Sequence, residues 1–118
     1  MDRKLQDHWS DLIRTLFKPD ADLRVRDNED HYEAVVSWKL GTDPSRPSKR
    51  SKRIRIIVPW ETVDDYQNKS ELQRKNDDEK LFQFIKANLE NFEPNHNNPI
   101  EMGPPEVKWI AGSGVLNS

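Results

Sequence analysis

The spacing of the apolar residues changes along this chain, from a helical repeat to a strict alternation and back again, and this pattern constrains the fold most. The residues of the first segment recur three or four positions apart, which places them on one stripe of an amphipathic helix: Leu5, Trp9, Leu12, Ile13, Leu16 and Phe17. Pro19 then closes the segment, because the residue before a proline avoids helical angles. The pattern predicts a helix over residues 3–17.

A period of two follows and predicts three strands. Leu23 and Val25 alternate with charged residues, and residues 32–40 alternate again after a polar turn at 27–30. A third alternating segment covers residues 53–58, with Ile54 and Ile56 on the inner side. Because the connections leave no room for crossover helices, we expect these strands to form an antiparallel meander with one solvent-exposed face.

A second helix and a short final segment complete the predicted order. Apolar residues at helical spacing predict a helix over about 77–92, with a capping box at 76–79 and an extension back toward Ser70 left open. Residues 107–110 are either a short final strand or a docking segment. The predicted fold class is α+β, in the order α-β-β-β-α with an optional fourth, C-terminal strand. Both the N-terminal and the C-terminal helix lie on one face of the sheet.

The apolar content of 33% against 34% charged residues is low for a chain of 118 residues. The deficit is local, because the polar connections 41–53, 67–80 and 93–105 hold only Leu72, Ile100 and Met102 as apolar residues. We therefore expect one small domain over 1–111, with a mobile basic loop at 41–53. Residues 112–118 are expected to form a flexible tail.

Several classes of function find no support in the sequence. The chain has no cysteine, no apolar run long enough to span a membrane, and no apolar leader at its start, so we expect a cytoplasmic protein without a membrane partner. His8, His31 and His96 show no metal-ligand spacing, and capping or solvation accounts for the carboxylate clusters. We expect no catalytic residue, metal or cofactor; a small enzyme with an unrecognised carboxylate and histidine site is a remote alternative.

Positive charge is concentrated in one part of the chain. Residues 43–55 carry six basic residues against Asp43 alone, whereas the whole chain has a net charge of −2. The outward positions of the predicted sheet would add further cations. The candidate binding residues are therefore Arg24, Arg26, Lys39, Arg46, Lys49, Arg50, Lys52, Arg53 and Arg55.

These residues predict a non-enzymatic interaction module that binds an acidic protein through the basic loop and the sheet face. The alternative is an accessory protein that binds nucleic acid through the same residues. A third interpretation assigns the charges only to keeping an exposed sheet face and a loop in solution.

Overall fold

The computed structural model describes residues 3–40 and 49–116, and it shows an α+β fold built on one four-stranded mixed sheet. The candidate Arg46 lies outside the described residues. Along the chain the elements are α1 (Arg3–Arg14), β1 (Asp22–Asp27), β2 (His31–Ser37), β3 (Arg53–Pro59), α2 (Trp60–Gln67), α3 (Glu71–Glu90), a 3-10 turn (Ile100–Met102), β4 (Glu106–Ile110) and α4 (Ser113–Leu116). The order matches the predicted α-β-β-β-α-β, with α2 and α4 as additional short helices.

The sheet has the strand order β1-β2-β3-β4. The first three strands form the predicted antiparallel meander, with Val25 opposite Ala34 and Ala34 opposite Ile56. The fourth strand at 107–110 is also confirmed, but it pairs in parallel with β3, so that Ile56 lies opposite Trp109. The parallel direction follows from the connection, because α2 and α3 carry the chain back before β4 begins.

One face of the sheet and the inner stripes of the helices form the core. Leu5, Trp9 and Ile13 of α1 pack with Leu81 and Ile85 of α3. The inward positions of the strands complete this cluster: Tyr32, Ala34, Val36, Ile54, Ile56 and Val58. Each large apolar side chain buried in this way contributes about 1.5–3 kcal/mol. Within the described chain, no helix packs on the opposite face of the sheet, which is left to its polar side chains.

The predicted capping box at 76–79 is wrong. The third helix begins six residues earlier, where the side chain of Ser70 accepts a hydrogen bond from the backbone N–H of Gln73 at 3.3 Å. The Gln73 side chain in turn accepts from the backbone N–H of Ser70 at 3.1 Å. Because the first six residues of α3 are all exposed, apolar spacing could not reveal them, and only the cap marks the start of the helix.

The start of the expected flexible tail is a packed element in the structure. Residues 113–116 form α4, and Ala111 and Leu116 belong to the core. The Lys80 ammonium donates to the carbonyl of Leu116 at 3.3 Å, which holds α4 on α3. Of all the helices the structure describes, none is long and apolar enough to cross a membrane.

Candidate basic binding surface

The uncovered side of the sheet carries a regular array of side chains that we call the basic face. Strand register places them in rows across the sheet: Arg24, Val35, Arg55 and Lys108 form the middle row. One neighbouring row consists of Arg26, Glu33, Ile57 and Ile110. The other brings Asp22 next to Ser37 and Arg53 next to Glu106. The face is completed by Arg50, whose guanidinium reaches it from the segment before β3.

Five of the nine predicted binding residues line one groove of about 590 Å³ on this face: Arg24, Arg26, Arg50, Arg53 and Arg55. Its floor is formed by Val35 and Ser37 of the central strand β2. The other described candidates, Lys39, Lys49 and Lys52, do not line it. The sequence therefore identified the arginines of the groove but also included three lysines that the structure does not bring to it.

The arginines of the groove come from both sides of β2. Arg24 and Arg26 belong to β1, and Arg53 and Arg55 belong to β3. Neighbouring strands are about 4.8 Å apart, so the backbones of β1 and β3 are separated by roughly 10 Å. The groove is consequently a trough above β2 with guanidinium groups on its two long sides.

A buried carboxylate anchors the β3 side of the trough. The side chain of Glu33 is only 1% exposed and forms an ion pair with the guanidinium of Arg55. Asn28 donates a second hydrogen bond to Glu33 at 3.2 Å, and His31 Nε2 lies 4.0 Å from the same carboxylate. A carboxylate that is removed from water requires such partners. Because Arg55 pairs with Glu33, its guanidinium is held in one orientation.

Arg50 is fixed at one end of the trough. Its guanidinium contacts Asp22 at 2.5 Å and donates to the hydroxyl of Ser37 at 2.9 Å. The backbone around it continues the β2–β3 hairpin, because Arg50 forms a bridge with Lys39 and the N–H of Ser51 donates to Trp38 at 2.8 Å.

The segment before β3 is therefore more ordered than the predicted mobile loop at 41–53. The hydroxyl of the buried Ser51 accepts from the backbone N–H of Trp38 at 3.1 Å, and the N–H of Lys52 donates to the carbonyl of Pro94 at 3.0 Å. His96 Nε2 lies 2.8 Å from the carbonyl of Arg50. Residues 49–53 thus belong to the framework of the sheet, whereas 41–48 lie outside the described residues.

On the β1 side of the trough, positive charge is not balanced by nearby carboxylates. Each carboxylate at the trough faces an arginine, and Glu106 lies 3.6 Å from both Arg53 and Arg55. By contrast, Arg24 and Arg26 form no ion pair with any described residue, and both are exposed. The charge that an incoming anion would meet is therefore concentrated on these two side chains.

A second polar cluster, which the sequence did not reveal, joins three helices. The carboxylate of Asp78 accepts from the indole N–H of Trp9 at 3.2 Å and from the hydroxyl of Tyr66 at 2.8 Å. His8 Nε2 lies 2.7 Å from it, beside a groove of about 510 Å³. Burial, followed by the contact with Asp78, raises the pKa of Tyr66 well above its usual value of 10.

The cluster connects helices and holds none of the usual catalytic arrangements. Its carboxylate is occupied by donors from α1 and α2, and no hydroxyl nucleophile among the described residues contacts His8. The adjacent Asp77 is buried and pairs with Lys69 at 2.6 Å. Helical spacing could have indicated this burial, because Asp77, Leu81 and Ile85 follow one another at intervals of four. The assignment of this carboxylate cluster to capping and solvation is therefore wrong for Asp77 and Asp78, whereas Glu79 is exposed.

Comparison with known proteins identifies no relative from which a function could be inferred. No family model, curated protein or solved structure matches the chain. Groups of three or more side chains suited to binding a metal ion are likewise absent from the residues that the structure describes. The basic face is consequently the strongest candidate site.

Proposed function

We propose that this protein is an interaction module that binds an acidic segment of another protein on its basic face. One observation carries the proposal: arginines from β1, β3 and the segment before β3 surround a single trough, and the two on β1 have no partner among the described residues. The guanidinium group suits carboxylates, because its planar donors can form two parallel hydrogen bonds with one carboxylate.

The placement of Arg24 and Arg26 supports binding over a purely solubilising role. They are two residues apart on one strand, so their side chains leave the same side of the sheet and repel each other. Charges of mixed sign would keep the face equally well solvated without this repulsion. A carboxylate between them would remove the repulsion and gain two charge-assisted contacts.

The basic face suits an acidic protein better than nucleic acid. Bases of single strands stack on aromatic rings, but none of the described residues that line the trough is aromatic. Three tryptophans have partners within the fold: the rings of Trp38 and Trp109 each lie 5.8 Å from the ring of Phe92, centroid to centroid, and Trp60 donates to the carbonyl of Asn28 at 2.8 Å.

The proposed location is the cytoplasm, since a secreted domain this small and polar is usually cross-linked by disulfides and this chain has no cysteine. There the partner would present its carboxylates to the trough from an exposed segment.

Binding of fluorescein-labelled poly-glutamate, followed by anisotropy at low salt, tests the proposal. The variant Arg24→Gln/Arg26→Gln should bind about tenfold more weakly, since each exposed pair contributes roughly 0.7 kcal/mol. The matched control Arg14→Gln/Lys86→Gln removes two charges from exposed positions of α1 and α3 and should bind like the parent. Circular dichroism verifies that both variants are folded.

Two outcomes would overturn the proposal. Equal weakening in both variants would show that only the total charge matters and that the trough has no role. Tighter binding of a single-stranded oligodeoxynucleotide than of poly-glutamate of the same charge would assign the face to nucleic acid instead.

A further inference from the structure

The spacing of the arginines along the strands defines the shape of a ligand that would fit the trough. On β1 the guanidiniums leave from Arg24 and Arg26, and on β3 from Arg53 and Arg55. In both cases the positions are two residues apart, which corresponds to about 7 Å along a strand. The two sides of the trough therefore present cations at the same repeat.

The floor of the trough leaves room above β2 for an extended chain. Val35 and Ser37 have short side chains, and they lie between the longer arginines of the neighbouring strands. Val35 is directly opposite Arg24 on one side and Arg55 on the other. A carboxylate descending toward Val35 would thus meet one guanidinium from each side.

Part of this arrangement is formed before any ligand arrives. Glu33 orients Arg55, while Asp22 and Ser37 orient Arg50 at one end. A ligand consequently has to order mainly the side chains of Arg24 and Arg26, which reduces the entropy lost on binding.

We propose that the basic face recognises an extended segment with acidic residues at every second position, lying along β2 between the arginines of β1 and β3. This inference rests on the function proposed above. In an extended chain, alternate side chains point to one side and repeat at about 7 Å, which matches the arginine spacing. A segment with consecutive acidic residues would direct every second carboxylate away from the trough.

Two labelled peptides of the same composition and charge test this register. One repeats Glu-Ser four times, and the other places four Glu before four Ser. The alternating peptide should bind about threefold more tightly, because it can direct one carboxylate to each of the three rows of the trough, whereas the block peptide can direct only two. Equal affinities would overturn the alternating register while leaving the acidic partner in place; no binding of either peptide would overturn both proposals.

Single substitutions on the two sides test the position of the segment. Arg24→Gln and Arg53→Gln should each weaken the alternating peptide about threefold, since each removes one guanidinium from one side. Lys86→Gln, on the exposed surface of α3, is the matched control and should leave binding unchanged. A loss confined to one side would show that the segment does not lie between the two strands.

Discussion

The ion pair between Arg55 and Glu33 permits a quantitative prediction about stability. Replacing Arg55 by Leu would leave a carboxylate that is only 1% exposed without its cation, while Asn28 remains at 3.2 Å and His31 at 4.0 Å. Removing one partner of a buried ion pair typically costs 3–5 kcal/mol, and the remaining donors place this case near the lower end, at about 3 kcal/mol. For a chain of this length, that corresponds to a fall in Tm of about 12 °C.

The measurement is urea unfolding at neutral pH, followed by circular dichroism for the parent and each variant. Arg53→Leu is the matched control, because its guanidinium is 47% exposed and lies 3.6 Å from Glu106, which is itself 42% exposed. Exposed pairs of this kind contribute less than about 1 kcal/mol. The double variant Glu33→Leu/Arg55→Leu should recover much of the loss, since it no longer buries an unpaired charge.

The reasoning is refuted if Arg55→Leu and Arg53→Leu lower the free energy of unfolding by the same amount. It is also refuted if the double variant is less stable than Arg55→Leu alone. Either result would mean that Glu33 reaches water or another cation when Arg55 is absent.

Three further predictions concern the helical side of the molecule. Asp78→Ala should lower the free energy of unfolding by about 3 kcal/mol in urea, because two donors, from Trp9 and Tyr66, lose their acceptor. Leu116→Ala should cost about 2–4 kcal/mol in the same assay, whereas a frayed tail would give no change. Burial raises the pKa of Tyr32 from 10 to about 12, so its contribution to stability is fully present below pH 10 and is lost as the pH rises to 12. The free energy of unfolding should fall by up to about 3 kcal/mol across that range of pH, and the fall should be smaller in the Tyr32→Phe variant.

Local patterns in the sequence were sufficient for most of the fold. The stripe of Leu5, Trp9 and Ile13 predicted α1 and its buried side, and the alternation predicted the meander. The parallel pairing of β4 could not be predicted, because nothing in residues 106–110 indicates which strand they join. The long connection through α2 and α3 indicates a parallel direction for β4 only when β3 is known to be its neighbour.

The candidate site was predictable where it depends on the alternation of a strand. Arg24, Arg26, Arg53 and Arg55 reach the open face for that reason alone. Arg50 reaches it because the β2–β3 hairpin already pairs before β3 begins and brings the Arg50 guanidinium to Asp22. Contacts of that kind join residues far apart in the chain, so no local spacing could reveal them.

The late position of β4 in the chain has a consequence for folding during synthesis. The meander can form once residues up to 59 have been synthesised. The edge of β3 that faces away from β2 has no partner until residues 106–110 follow. Until then the backbone groups of β3 that pair with the last segment, among them the N–H of Arg53 and the C=O of Ile57, are unpaired and open to any neighbouring chain. The nascent chain is thus exposed to strand-to-strand aggregation while residues 60–105 are being added, and the addition of β4 converts β3 from an edge into an interior strand of the sheet.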